Sequence, residues 1–242
     1  MKKMLLPLLV SLIPLNGLRV FLYRLLFGYR IGRNVRIGFG TVISVQSFKV
    51  GAGTVIGPLN VFKGPIKVRI GSEAKIGRLN QFFCSWHIVS GKFSERNYTP
   101  ILEMGDRTLI LNSHFFDIYG RVEIGNDSWI AGNGSQFWTH GLSVMDRDII
   151  IGEKNYIGSA VRFAPGTSIG SRNIVALGSV VLGKIEACDS LISGFPAKTF
   201  RSIANDVQGG RYRFSFEDLN FFDHFIFFTF QQSGFNEVTA IR

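Results

Sequence analysis

An aliphatic residue followed by a small residue returns every six positions through much of this 242-residue chain. A period of six fits neither the turn of an α-helix nor the alternation of a flat strand. It indicates a chain that runs straight briefly, turns at a small residue and repeats. The most regular stretch contains Ile151-Gly152, Ile157-Gly158, Phe163-Ala164, Ile169-Gly170 and Val175-Ala176, followed by Val181.

The spacing of these pairs predicts a coil with three sides. Positions 151 and 169, 157 and 175, and 163 and 181 are each eighteen residues apart. Other steps are slightly longer, as expected if one corner of each coil accepts extra residues: 31 to 50 to 70, 37 to 56 to 76, 104 to 124, and 110 to 130 to 151. Coils stacked about 4.8 Å apart hydrogen-bond as parallel strands around a ladder of aliphatic side chains. The sequence therefore predicts an all-β fold, a parallel β-helix solenoid.

The hexads and the closing segment Ser193-Gly194-Phe195-Pro196-Ala197-Lys198, with Arg201, resemble the hexapeptide-repeat acyltransferases. The resemblance covers about residues 31–202, and within this family the chain resembles the sugar and polysaccharide O-acetyltransferases. It implies a left-handed β-helix that assembles as a homotrimer. It also implies transfer of an acyl group, most often acetyl from acetyl-CoA, to a hydroxyl or amino group.

Three parts are expected along the chain. Residues 1–30 form an apolar and basic helical segment, and residues 31–202 form the β-helix. The repeat is interrupted by an irregular loop at about 78–103 and again at 137–148. Residues 203–242 contain nine phenylalanines, too many for a free tail, and are expected to form a cap or to pack between subunits.

The net charge of +10 is concentrated at the start of the chain, because residues 1–72 contain eleven Lys or Arg and no Asp or Glu. Such a segment attracts nucleic acid or an anionic membrane surface. The apolar run Met4–Leu15 favours the membrane, and we expect no nucleic-acid partner. As a helix the run would span about 18 Å, less than a hydrocarbon core of about 30 Å.

We therefore expect residues 1–28 to lie on a membrane, on its cytoplasmic face, where acetyl-CoA is available. Two alternatives stay open, a helix packed on the domain or on a neighbouring subunit, and a cleaved secretory signal. Cys84 and Cys188 are far apart and form no C-x-x-C pair, which fits a reducing compartment such as the cytoplasm.

Acyl transfer to a hydroxyl requires a base, because a protonated alcohol is a poor nucleophile. His140 is the strongest of the four histidines, since Trp138-Thr139-His140-Gly141 precedes the most regular coils. The resemblance places the catalytic histidine at this position. His224 lies in the Phe-rich tail and is expected to be structural. The candidates for contact with the acceptor are His114, Trp138 and His87.

The resemblance implies further site residues. Asn112 matches an asparagine that orients the acceptor, although a structural asparagine ladder is an equal alternative. The coenzyme of the family lies in a groove between neighbouring solenoids, along backbone groups that match Ser159, Ala160, Leu177 and Gly178. The basic candidates for its phosphates are Lys184, Lys198 and Arg201.

No metal is expected. The γ-type carbonic anhydrases share this fold but place three histidines around zinc, two of them close in sequence. His87, His114 and His140 are separated by 27 and 26 residues, so that pattern is absent. The expected function is an acetyl-CoA-dependent O-acetyltransferase acting on a sugar hydroxyl in surface-polysaccharide or lipid-linked glycan synthesis. A transferase for a small soluble acceptor (an amino sugar, an antibiotic or serine) and a non-catalytic scaffold are the alternatives.

Overall fold

The computed structural model describes residues 2–89, 96–141 and 144–204. Two α-helices come first, α1 at Lys2–Ser11 and α2 at Asn16–Phe27. The described residues up to Ile203 belong to one compact unit. The Phe-rich segment expected to be a cap lies outside the described residues from position 205 onward.

Short strands make up most of the remaining described chain, with one 3-10 helix at Trp86–Val89. The strands are β1 Arg30–Ile31, β2 Arg36–Ile37, β3 Val42–Val50, β4 Val55–Ile56, β5 Val61–Ile70, β6 Lys75–Ile76, β7 Gln81–Phe83, β8 Ile101–Met104, β9 Leu109–Asn112, β10 Phe115–Asp117, β11 Arg121–Ile124, β12 Trp129–Asn133, β13 Gln136–Trp138, β14 Ile149–Ile151, β15 Tyr156–Ile157, β16 Arg162–Phe163, β17 Ser168–Ile169, β18 Ile174–Val175, β19 Val180–Val181, β20 Lys184–Ile185, β21 Ser190–Gly194 and β22 Ala197–Ser202.

Except for β22, which pairs antiparallel with β21, these strands stack in three parallel ladders, one for each side of the coil. The first ladder aligns Ile31, Val50, Ile70, Met104, Ile124, Ile151, Ile169 and Ile185. The second aligns Ile37, Ile56, Ile76, Ile110, Ile130, Ile157, Val175 and Ile192. The long strands β3 and β5 continue through a corner and join the first and third ladders into one 13-stranded sheet. The predicted parallel β-helix is confirmed.

One predicted step between coils is wrong. Ile151 pairs with Ile124, and Ile130 pairs with Ile157, so position 130 does not stack on position 151. The coil is longer here because the chain leaves β13 at Trp138 and resumes a strand only at Ile149. His140 lies in this longer connection.

The interruption predicted at about 78–103 is shorter in the structure. Strand β7 is a regular part of the coil, because Phe82 lies in register with both Phe62 and Phe116. The chain leaves the coil after β7 and returns at β8, where Ile101 pairs with Lys67. Within the predicted interval, the described residues 84–89 and 96–100 lie outside the strands of the coil.

Aromatic rings fill the third ladder. Phe62, Phe82, Phe116, Phe137 and Phe163 are buried and lie one above another, with ring centroids 4.3, 4.7, 4.2 and 5.0 Å apart. Neighbouring rings are within 18° of parallel. The distance between coils matches the distance at which offset aromatic rings stack, so identical residues at this position pack without strain. This stack supports the side of the coil that leads to His140.

Helix α2 closes the first end of the solenoid. Strand β2 is an edge strand, and its Ile37 N–H donates to Asn16 Oδ1 at 2.9 Å. The Ile37 carbonyl accepts from Arg19 Nε at 3.0 Å, and the Arg19 side chain also donates to the carbonyl of Ile13. Tyr23 Oη donates to the Thr41 carbonyl at 2.9 Å. The side chains of α2 thus satisfy edge groups that a further coil would otherwise pair.

A polar column follows one inner corner, and His114 belongs to it. The backbone N–H of Asn80 donates to Asn60 Oδ1 at 2.9 Å, and the N–H of His114 donates to Asn80 Oδ1 at 2.9 Å. The N–H of Ser135 then donates to His114 Nδ1 at 3.1 Å. The imidazole therefore takes the place of an asparagine amide. Burial lowers the pKa of His114 to about 4.

Replacing Arg19 by Met should destabilise the protein by about 1–3 kcal/mol, because the carbonyls of Ile13 and Ile37 lose their buried donors. Urea denaturation measures the change. Arg33→Met is the matched control, since Arg33 is exposed and its substitution should have little effect. Equal stability of the two variants would show that Arg19 is not needed to close the solenoid.

Stability should fall as the pH is lowered from about 6.5 to about 4. The unfolded histidine takes up a proton near pH 6.5, whereas folded His114 resists protonation until about 4. The loss from this group reaches about 3 kcal/mol at the acid end. His114→Asn restores the residue type used at Asn60 and Asn80, so this variant should fold and show a flatter dependence. An unchanged acid-side slope in His114→Asn would contradict the assignment.

Candidate active site

His140 lies at the corner after β13 and is held by a buried carboxylate. Its Nδ1 is 2.5 Å from Asp117 Oδ2. The Asp117 side chain is only 4% exposed, whereas the His140 side chain is 42% exposed. One ring nitrogen therefore faces the interior, and the ring itself reaches the surface.

The register of the coil produces this pair. Asp117 ends β10 and lies directly beside Trp138 in β13, two residues before His140. Buried Thr139 fixes the turn, since its hydroxyl donates to the Asp117 carbonyl at 2.5 Å. The Thr139 hydroxyl oxygen also accepts from the N–H of Tyr119 at 2.6 Å and from the N–H of Gly120 at 3.0 Å. One threonine thus joins the two adjacent corners on which the acid and the histidine lie.

The charge state of Asp117 depends on its partner. Burial raises the pKa of the Asp117 carboxyl above its ordinary value, and the hydrogen bond and charge of His140 act in the opposite direction. When the carboxylate is ionised it only accepts hydrogen bonds, and Nδ1 of His140 then carries the proton. Nε2 is then left with a lone pair that can accept a proton from a substrate. The arrangement has the components of a general base with an orienting acid.

The nearest buried thiol does not compete as a nucleophile. Burial, together with the nearby Asp117 charge, raises the pKa of Cys84 to about 12. The thiolate is the reactive form of cysteine, and it is scarce at neutral pH in this environment. Cys84 is therefore not a candidate nucleophile at this corner.

Aromatic rings continue from His140 toward the segment that leaves the coil. The Tyr119 ring centroid is 4.2 Å from that of His140 and 5.5 Å from that of Tyr98. Tyr119 Oη accepts from the N–H of Ser85 at 3.3 Å. Tyr98 also lines a surface pocket of about 380 Å³, together with Lys67 and Thr99 among others. An acceptor that reached His140 would therefore lie beside these aromatic rings.

Two of the predicted acceptor residues lie at the surface. Trp138 is 38% exposed, its ring centroid is 5.1 Å from that of Phe115, and its Nε1 donates to Gln136 Oε1 at 3.2 Å. His87 is exposed in the 3-10 helix, two residues after Ser85. The third candidate, His114, is buried in the polar column and presents no ring atom to the surface.

Asn112 has a structural partner. Its Oδ1 accepts from the N–H of Arg78 at 2.9 Å, in the preceding coil. Asp106 makes the same kind of contact to the N–H of Ser72 at 2.7 Å. This contact is the one expected if Asn112 belongs to a structural asparagine ladder. It leaves the amide nitrogen of Asn112 able to donate to another group.

The backbone groups expected to hold the coenzyme are partly committed to the coil. The N–H of Ala160 donates to Asn133, and the N–H of Gly178 donates to Ser159, both at 2.9 Å. They are therefore not available as donors to a ligand. The Leu177 side chain is 78% exposed and offers an apolar contact instead.

The basic candidates lie near the last coils. Lys184 and Lys198 line one pocket of about 370 Å³. Lys184 Nζ is 3.5 Å from Asp146 Oδ2, and both of these side chains are largely exposed. Arg201 lies in β22 opposite Leu191 and is not among the residues lining this pocket. The two lysines are candidates for contact with phosphate groups, although Glu186 lines the same pocket.

The residues that sequence reasoning missed are Asp117, Thr139 and Tyr119. The signal for Asp117 was available, since aligning Phe116 with Phe137 places Asp117 beside Trp138. Thr139 is the neighbour of His140 in the sequence, but the period of six does not indicate its hydrogen bond to Asp117. Among the described residues, no group of three His, Cys, Asp or Glu side chains is placed to hold a metal ion.

No protein-family model matches the sequence, and no curated protein matches it. Solved structures do match. A hexapeptide-repeat-containing acetyltransferase of Vibrio cholerae O1 biovar eltor, complexed with acetyl-coenzyme A, is 21% identical, with 81% of this chain and 82% of that chain covered and a TM-score of 0.42. A polysialic-acid-specific acetyltransferase is 18% identical, with 72% and 81% covered and a TM-score of 0.40.

A UDP-N-acetylglucosamine acyltransferase from Campylobacter jejuni is 13% identical, with 81% of this chain and 78% of that chain covered and a TM-score of 0.49. The chain is thus similar in structure to several hexapeptide-repeat and sugar-directed acyltransferases. The chemistry assigned to this chain rests on its own side chains.

Proposed function

We propose that this protein is an acetyl-CoA-dependent O-acetyltransferase acting on a sugar hydroxyl of a surface polysaccharide or a lipid-linked glycan. The observation that carries the proposal is the pair formed by half-exposed His140 and buried Asp117. A base of this kind is needed when the acceptor is a hydroxyl, whereas a neutral amine is already nucleophilic. The geometry therefore supports transfer to oxygen.

His140 acts through Nε2 in this mechanism. It accepts the proton of the acceptor hydroxyl while Asp117 holds Nδ1–H and balances the positive charge that forms on the ring. The acceptor oxygen forms a bond to the acetyl carbonyl carbon, and the carbon–sulfur bond breaks. His140 then returns the proton to the departing thiolate. Protons and electron pairs balance without a covalent intermediate on the protein.

Coenzyme A supplies the acetyl group as a thioester. The late coils fit such a donor in chemical type, since Lys184 and Lys198 share one pocket and Leu177 is exposed nearby in sequence. The lysines would contact phosphate and Leu177 would contact the apolar arm. In the proposed homotrimer, the groove between neighbouring chains would bring these groups and His140 to the same ligand.

The sugar acceptor would lie against aromatic side chains. Trp138 is exposed two residues before His140, and the Tyr119 ring packs beside the imidazole. Flat aromatic rings offer an apolar surface to the C–H face of a sugar, while the hydroxyls remain available for hydrogen bonds. This is the reason for proposing a sugar as the acceptor.

Replacing His140 by Ala should lower turnover about a hundred- to ten-thousandfold, because the base is lost. Thiol release from acetyl-CoA, with a panel of sugars as acceptors, measures the change. Calorimetry should show that coenzyme A still binds, since other groups hold it. His224→Ala, outside the described residues, is the control and should change turnover little. A His140→Ala enzyme within a few-fold of wild type would remove His140 from the mechanism.

Asp117→Asn should lower turnover by at least about tenfold, because the neutral amide no longer favours Nδ1–H or the charged ring. Thermal stability at neutral pH should not fall, since burial already disfavours the Asp117 carboxylate. Asp127→Asn makes the same change in the exposed pair with Arg107 and should leave turnover unchanged. Loss of folding and of coenzyme binding in Asp117→Asn would indicate that the carboxylate only stabilises the corner and has no role in catalysis.

A further inference from the structure

The two N-terminal helices and the connection between them expose an unusually large set of apolar side chains. Ten of them are between 43% and 67% exposed: Leu5, Leu6, Leu8, Leu9, Leu12, Leu15, Leu18, Phe21, Leu25 and Leu26. Soluble proteins seldom present so many neighbouring apolar side chains to water unless the surface contacts a partner or a membrane. We call these ten residues the apolar face of the cap.

The fold does not require this face. The opposite side of α2 does the packing, through buried Arg19, Val20 and Tyr23. On α1, Val10 and Ser11 are buried, and the Ser11 carbonyl accepts from the N–H of Gly40 at 2.9 Å. The apolar face therefore points away from the coil that the helices close.

Cations surround the same end of the solenoid. Arg30, Arg33 and Lys49 are exposed in the first two coils, and Arg30 lies directly beside Lys49 in adjacent strands. Like charges in register repel one another, and an anionic partner removes that cost. The first acid of the sequence is Glu73, so no carboxylate of the first 72 residues offsets them.

The helices are too short to cross a bilayer. They contain 10 and 12 residues, and no helix in the described ranges is long and apolar enough to span a membrane. Leucine-rich faces flanked by cations are typical of helices that lie in the interfacial layer, about 5–10 Å deep. A lipid surface accounts for both features, since acyl chains contact the leucine side chains and headgroup phosphates bind the cations.

We propose that the helical cap binds the surface of an anionic membrane, with its apolar face among the acyl chains and Arg30, Arg33 and Lys49 at the headgroups. This binding is independent of the proposed chemistry at His140. It would hold the enzyme beside acceptors that are themselves attached to lipid.

Vesicle flotation tests the proposal with the full-length protein. It should float with phosphatidylcholine vesicles that contain phosphatidylglycerol, and less with phosphatidylcholine alone or at high salt. Phe21→Glu/Leu25→Glu should abolish flotation. The control, Leu59→Glu/Leu79→Glu, makes the same change at side chains that are 49% and 47% exposed elsewhere, and should float normally. Arg30→Gln/Arg33→Gln should weaken binding to the anionic vesicles about fivefold for each cation.

Several results would overturn the proposal. The first is failure of the wild-type protein to float with anionic vesicles at low salt, and the second is equal loss in both apolar-to-acid variants. A change of oligomer mass in Phe21→Glu/Leu25→Glu without vesicles, by analytical ultracentrifugation, would assign the face to a second copy of the chain. A thermal midpoint far below that of the control variant would show that another part of the chain covers it.

Discussion

In-register hydrogen bonding between successive coils is the interaction on which this structure depends. Every ladder repeats the same corner and the same side at a distance of about 4.8 Å. A side chain at one position therefore packs against the side chain at the equivalent position in the next coil. Aliphatics, rings and amides each form columns because like packs on like at that distance, as the five stacked phenylalanines show.

The candidate site is a local exception to that repetition. Beside Asp117 the neighbouring coil places Trp138, and the chain then leaves the coil for a longer corner. The buried acid faces the imidazole across this break, and Thr139 holds the two corners together. The regular repeat therefore holds Asp117 in a fixed position, while the irregular corner leaves the His140 side chain exposed.

The period of six was sufficient to predict the β-helix and most of its register, since aliphatic pairs mark nearly every side. It failed where the corner changes length, at the step assigned from Ile130 to Ile151. Aligning Phe116 with Phe137 places Asp117 beside Trp138, but the contact with His140 depends on the turn at Thr139, which the period of six does not predict. His140 itself was identifiable from its position before the regular coils. The burial of His114 was not identifiable, because it depends on the polar column that His114 forms with Asn80 and Ser135.

The closed ends of the solenoid limit how copies of this protein can associate. Helix α2 occupies the edge of the first coil, and β22 pairs antiparallel with β21 at the other end. Among the described residues, the ladder that runs from β2 to β21 is therefore covered at both ends, and another molecule cannot extend this ladder as a parallel strand. Contacts through the flat sides of the coil are lateral instead, and lateral contacts can close into a ring of defined size.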